Sequence, residues 1–143
     1  MRTLLLSIIT TGVMGWSSIS QEVVLPCAGM VYENRSQTDY GPLRLASIRG
    51  TAKDSKGVRV PGVCIGIFTP KDHNLIMATQ TDREGSFEFR GVANGEYRLV
   101  AKCEGFCSGN AKIRVDPSSR SKKRLDLLIR PSGLDSCSYF ELK

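Results

Sequence analysis

The stretch that decides the fold is Thr81-Asp82-Arg83-Glu84-Gly85-Ser86-Phe87-Glu88-Phe89. Asp82 is placed to accept a hydrogen bond from a backbone amide of a tight turn, and Gly85 suits a backbone conformation that is unfavourable for other residues. Phe87 and Phe89 then alternate, so both rings point to the same face of a strand and into a core. The stretch therefore predicts a turn followed by a half-buried strand.

Short apolar runs of the same kind continue on both sides of this turn, separated by glycine-containing turns such as Asn94-Gly95. Seven runs are present, at 45–53, 63–68, 75–81, 86–90, 95–103, 111–115 and 123–129. No helical period of comparable length follows the first twenty residues. Seven short strands with a turn about every ten residues predict an all-β protein, a seven-stranded, two-sheet β-sandwich of Greek-key type.

The alternation within the runs also assigns the core. Cys64 alternates with the inward residues of its run, so we expect it to face away from the main core. The side chains predicted to point inward are Ile48, Val63, Ile65, Ile67, Phe87, Phe89, Tyr97, Leu99, Ile113, Val115, Leu125, Leu127 and Ile129.

The opening stretch, together with Gly95-Glu96-Tyr97-Arg98-Leu99 and Gly105-Phe106, resembles the carboxypeptidase regulatory-like family. The flanking Ile48-Arg49-Gly50 and Pro61-Gly62-Val63-Cys64-Ile65 look like the first two strands of that family. The resemblance covers about residues 44–130 and implies a transthyretin-like, or prealbumin-like, sandwich. It also implies a non-catalytic accessory or binding module. The residues that carry this fold signature are Gly50, Thr81, Asp82, Gly85, Phe87, Phe89, Gly95 and Tyr97.

A related fold serves as 5-hydroxyisourate hydrolase, which relies on histidines and a C-terminal Tyr-Arg-Gly-Ser. This chain has one histidine, His73, in a polar loop, and it ends Tyr139-Phe140-Glu141-Leu142-Lys143. We therefore predict no catalytic residue, no cofactor and no metal site. A small secreted hydrolase with a site around His73 remains an alternative.

The first residues differ in character from the rest. Arg2, the apolar stretch 4–16 and the small residues 18–20 are typical of a secretory signal peptide, and no later segment is long and apolar enough to span a membrane. We predict a signal peptide at 1–20, a loosely ordered lead-in at 21–42, the sandwich at 43–131 and a C-terminal tail at 132–143. The protein is then secreted or periplasmic.

Five cysteines in an exported chain indicate disulfides, and an odd number leaves one thiol free or paired with another chain. Cys27 and Cys137 flank the predicted core, so we expect a bridge between them that ties both tails to the domain. We expect Cys103 and Cys107 to be bridged rather than reactive. Spacing alone does not fix the connectivity.

The net charge of +6 is moderately basic. The densest basic run, Arg120, Lys122, Lys123 and Arg124, lies between the last two predicted strands, where it is a candidate contact for an anion or an acidic partner. We predict a protein or glycan partner and no nucleic acid. Assembly into a homodimer, through edge strands or an intermolecular disulfide, is the remaining alternative.

Overall fold

The computed structural model describes residues 27, 29–33, 41–133 and 137–143. The predicted signal peptide and most of the predicted lead-in lie outside these residues. Within them the protein has β-strands and no helix. The strands are β1 (Leu43–Leu45), β2 (Arg49–Lys53), β3 (Cys64–Phe68), β4 (Leu75–Gln80), β5 (Ser86–Glu88), β6 (Gly95–Lys102), β7 (Phe106–Cys107), β8 (Gly109–Val115), β9 (Leu125–Leu128), β10 (Arg130–Pro131) and β11 (Tyr139–Leu142).

Two main sheets face each other. The larger has the order β1-β8-β6-β3-β4 and the smaller the order β11-β9-β2-β5, while β10 and β7 form a separate two-stranded pair. Strand pairing is antiparallel except for β1 with β8 and β2 with β9. The predicted all-β sandwich is confirmed.

The core between the sheets follows the predicted alternation. Tyr97 is only partly buried against it, because its hydroxyl reaches the backbone oxygen of Ala93 at 2.7 Å. The buried core cluster consists of Leu45, Ile48, Ala52, Val63, Ile65, Ile67, Phe87, Phe89, Leu99, Ala101, Ile113, Val115, Leu125, Leu127, Ile129 and Phe140.

The opening stretch builds its turn from side chain to backbone hydrogen bonds. The carboxylate of Asp82 accepts from the amides of Glu84 at 3.0 Å and Ser86 at 2.8 Å, and Gly85 has a φ of 71°. A Cβ at Gly85 would also lie 2.9 Å from the backbone oxygen of Ala52. The turn therefore requires glycine for both its conformation and its neighbour.

The first predicted run is in fact two strands in different sheets. Residues 43–45 pair with β8 in the larger sheet, whereas 49–53 pair with β5 and β9 in the smaller one. The chain crosses between the sheets at the bend Ala46-Ser47. A single alternating pattern does not reveal this, because both halves point apolar side chains into the same core.

The C-terminal stretch predicted to be a tail instead contributes an edge strand. Residues 139–142 pair with β9, and Phe140 joins the core. Four residues with only two inward apolar side chains give too little alternation to stand out from a polar tail.

Residues 29–33, which we call the strap, cross the outer face of the larger sheet. Phe68 and Val100 are buried on this face although they do not belong to the core cluster. The ring of Tyr32 meets Phe68 edge to face, with centroids 5.8 Å apart. We expected the lead-in to be loosely ordered, but its residues 29–33 pack on the sheet.

The strap is also held by polar contacts. Glu33 forms an ion pair with Lys102 and accepts a hydrogen bond from the Ser108 hydroxyl at 2.9 Å. The side-chain amide of Asn110 donates to the backbone oxygen of Glu33 at 3.1 Å and to the Tyr32 hydroxyl at 3.2 Å. Because these partners lie on β6 and β8 or between them, the strap fastens to the centre of the sheet.

Candidate functional site

Strand register brings three loops to one end of the sandwich. β8 ends at Val115 beside Gly95, the first residue of β6, and β3 ends at Phe68 beside Arg98. The loops 69–74, 89–94 and 116–124 therefore lie at the same end. The loop 116–124 carries all four residues of the predicted basic run.

The side chains of Arg120, Lys122, Lys123 and Arg124 are all exposed. Within the described part of the chain, no carboxylate forms an ion pair with any of them. Four positive charges within five residues, none of them paired with a described carboxylate, form a local excess of positive potential, which attracts anions.

The loop backbone is shaped by its own short side chains. The Asp116 carboxylate accepts from the Ser118 hydroxyl at 2.6 Å and from the Ser118 amide at 3.1 Å, and these bonds hold its pKa below the ordinary value. The hydroxyls of Ser119 and Ser121 accept from the amides of Ser121 and Lys123. The loop is thus ordered without using any of its basic side chains.

Two residues from elsewhere in the sequence extend the basic run. Arg124 and Lys143 exchange backbone hydrogen bonds, both 2.9 Å long. β2 and β9 run parallel with Gly50 beside Leu125, so Arg49 comes beside Arg124. We call loop 116–124 with Arg49 and Lys143 the basic end.

Arg49 and Arg124 share the outer face of the smaller sheet. Gly50 and Leu125 are buried toward the core, so the preceding Arg49 and Arg124 point outward. Nothing in the local sequence around Arg49 or Lys143 signals this grouping, because it depends on the parallel pairing of β2 with β9 and on the unpredicted strand β11.

Two nearby carboxylates, those of Asp126 and Glu88, already form ion pairs. Asp126 forms ion pairs with Lys53 at 3.6 Å and Lys143 at 2.7 Å, and it raises the pKa of Lys143. Glu88, the cross-strand neighbour of Arg49, pairs instead with Arg90 at 3.7 Å. Arg49 has no hydrogen bond or ion pair to a described residue, and its Nε atom is buried.

The disulfides differ from the expected pairing. Cys27 is bonded to Cys64 and Cys107 to Cys137, which leaves Cys103 as the free thiol among the described residues. Cys64 faces the outer side of its sheet, where the strap begins.

The physical reason lies in strand pairing. β10 places Arg130 beside Cys107, and so brings the C-terminal chain to that residue. Cys103 instead packs against the core, and burial raises the pKa of its thiol. It is therefore poorly suited to act as a nucleophile.

His73 is exposed in the loop between β3 and β4. Its ring stacks on Tyr32 with centroids 3.8 Å apart, and no hydrogen bond or ion pair joins it to another described residue. A general base needs a partner within hydrogen-bonding reach, and the geometry around His73 supplies none from these residues.

Across the parts of the chain that the structure covers, no group of three or more His, Cys, Asp or Glu side chains is arranged to hold a metal ion. In the same parts, no helix is long and apolar enough to cross a membrane.

The family model of the carboxypeptidase regulatory-like domain matches residues 47–128, more than half of the chain. The chain belongs to this family. The match spans β2 to β9 and includes the opening stretch, so the resemblance carried by that stretch is confirmed.

Two solved structures similar to this carboxypeptidase regulatory-like domain are transthyretins. The crystal structure of sea bream transthyretin in complex with thyroxine is 15% identical, with 68% of this chain and 94% of that chain covered and a TM-score of 0.50. The transthyretin of Sparus aurata is 15% identical, with 69% and 99% covered and a TM-score of 0.50. No curated protein matches the chain. At this identity the likeness shows the transthyretin-like fold.

Proposed function

We propose that this chain is an exported, non-catalytic binding module that presents its basic end to an anionic protein or glycan partner. The observation that carries the proposal is the set of four exposed cations in loop 116–124 that form no ion pair with a described residue, extended by Arg49. Two disulfides support an oxidising, exported location. Family membership supports a role without catalysis, and so does the lack of a hydrogen bond or ion pair between His73 and any described residue.

The position of these charges suits recognition of a partner. Four of them lie on loop 116–124 at one end of the sandwich, and loops at the end of a sandwich commonly display binding residues. The loops at the opposite end include Asp54, Asp82, Glu84 and Glu104 along with basic residues, so positive charge is concentrated at one end. Such asymmetry raises association rates and orients the partner as it approaches.

The proposal is tested by a double variant, Lys122→Gln with Lys123→Gln, compared with Lys56→Gln with Arg83→Gln at the opposite end. Both variants remove two exposed charges. Exposed ion contacts contribute about 0.2–1 kcal/mol each, so we expect the first variant to bind immobilised heparin about fivefold more weakly and the second to bind as the parent does. Polyglutamate is the matched probe for an acidic protein.

Equal loss of binding in the two variants would show attraction to net charge alone and would contradict the proposal. Binding to neither polymer at low ionic strength would contradict it as well. Measuring at two salt concentrations adds a check, because contacts between exposed charges weaken as salt rises.

A second candidate function is assembly of two copies through β4. This strand is an edge of the larger sheet, it has six residues, none of them charged, and Ile76 is 46% exposed. Long uncharged edges are prone to pair with another chain. Sedimentation velocity would then show a dimer that Ile76→Lys converts to monomer, and a monomeric parent protein at high concentration would rule this candidate out.

A further inference from the structure

The side chain of Arg49 carries a hydrogen-bond donor that has no acceptor among the described residues. Its Nε atom is buried, and no described residue accepts a hydrogen bond from it. Buried N–H groups nearly always have a partner, and a missing one indicates a water or an ion. The adjacent carboxylate does not serve, because Glu88 pairs with Arg90.

A second arginine stands beside the first. The parallel register of β2 and β9 places Arg124 at the level of Arg49, both on the outer face. Neighbouring strands are about 4.8 Å apart, a distance that two arginine side chains can span, so both guanidinium groups can approach one anion above the sheet. Like charges in such positions repel each other, and an anion between them relieves the repulsion.

We propose that Arg49 and Arg124 form a site for a tetrahedral oxyanion, a sulfate or phosphate group carried by the anionic partner. This inference rests on the proposed function and specifies the chemistry of its ligand. Two planar guanidinium groups present more N–H donors than the two oxygens of one carboxylate can accept when it lies on one side of them. A sulfate or phosphate group directs its oxygens to several sides and so can accept hydrogen bonds from both arginines. Lys122 and Lys123 in the adjoining loop add positive charge.

The test observes the donor directly. In a ¹⁵N-labelled protein, the Arg49 Nε–H resonance is followed while inorganic sulfate, inorganic phosphate or acetate replaces chloride at constant ionic strength. We expect a saturable shift with sulfate or phosphate and a much smaller one with acetate. The Arg49→Lys variant assigns the signal by removing it.

Variants separate geometry from charge. Arg49→Lys and Arg124→Lys each keep the charge but lose the planar fork, so we expect the sulfate affinity to fall at least about tenfold. Lys56→Gln, at the opposite end, is the control and leaves the affinity unchanged. Circular dichroism checks that each variant is folded, and two independent arginine variants keep the test decisive if one fails to fold.

The outcomes distinguish this site from the broader function. If both arginine variants bind sulfate as the parent does, or if acetate shifts the resonance as strongly as sulfate, the oxyanion site is wrong. Heparin binding that is lost in the Lys122→Gln, Lys123→Gln variant would then still support the basic end. A heparin tetrasaccharide that displaces inorganic sulfate identifies a sulfated sugar as the source, whereas displacement only by a phosphorylated compound identifies a phosphate.

Discussion

Thr81 joins the turn before β3 to the end of β4 through one buried hydroxyl. The side chain is 4% exposed, and its Oγ1 accepts from the Val63 amide and donates to the Val60 carbonyl, both at 2.9 Å. Thr81→Val keeps the branched shape but removes both bonds. The Val63 amide is buried and Val60 is only partly so, and an unsatisfied buried group costs about 1–3 kcal/mol. We expect the free energy of unfolding to fall by about 2–3 kcal/mol.

Urea unfolding followed by far-ultraviolet circular dichroism measures this change, with an unchanged m value as the condition for comparison. Thr79→Val on β4 is the matched control, because its hydroxyl makes no hydrogen bond to a described residue, and we expect a change within about 0.5 kcal/mol. Thr81→Ser keeps the hydroxyl and should be clearly less damaging than Thr81→Val. Equal effects of Thr81→Val and Thr79→Val would refute the reasoning.

Four further predictions concern stability and cysteine chemistry. A Cβ on Gly50 would lie 1.9 Å from the Leu125 carbonyl oxygen, so Gly50→Ala should lower the free energy of unfolding by at least about 3 kcal/mol or prevent folding. Gly41→Ala is the control and should leave the thermal midpoint nearly unchanged, because no atom lies within 4 Å of the added Cβ. The Cys107–Cys137 bond joins residues 30 apart, so replacing both cysteines by serine should lower the free energy of unfolding in guanidinium by about 3–4 kcal/mol; a loss below about 1 kcal/mol would contradict this. Iodoacetamide applied before reduction should label only Cys103 among the described cysteines, and slowly at neutral pH because burial raises its pKa; peptide mass mapping that finds labelled Cys64 or Cys107 would overturn the bonding pattern. The hydrogen bond from Ser118 lowers the pKa of Asp116 below 3.8, so the stabilisation from this carboxylate is present above that pH and is lost as the pH falls through the lowered pKa; Asp116→Asn should remove this part of the acid dependence of the thermal midpoint.

The sequence contains enough local information to predict most of the sandwich. Phe87 and Phe89 point inward because a strand has a period of two, and the Asp82 to Gly85 turn depends only on neighbouring residues. The switch between sheets at Ala46-Ser47 was not predictable in this way, because both halves of the run face the same core.

The candidate site likewise has one part that is local in sequence and another part that depends on strand pairing. The loop cations from Arg120 to Arg124 are close together in sequence, so the sequence alone identifies them as a basic run. Arg49 and Lys143 join them only through strand pairing between distant segments, which alternation does not reveal. The disulfides follow the same rule, since Cys107 meets Cys137 through the pairing of β7 with β10.

The order in which the chain is synthesised affects how the Cys27–Cys64 bond, next to the strap, can form. Cys27 precedes all the strands that the strap covers, so it leaves the ribosome before its docking surface exists. Cys64 is the next cysteine in the chain, and the 37-residue separation allows the native bond to close before Cys103 and Cys107 follow. Vectorial synthesis therefore favours the native partner, whereas refolding of the complete reduced chain exposes Cys27 to every competing thiol at once. Oxidative refolding of the full reduced chain should accordingly yield more mispaired species than oxidation of the chain as it is synthesised.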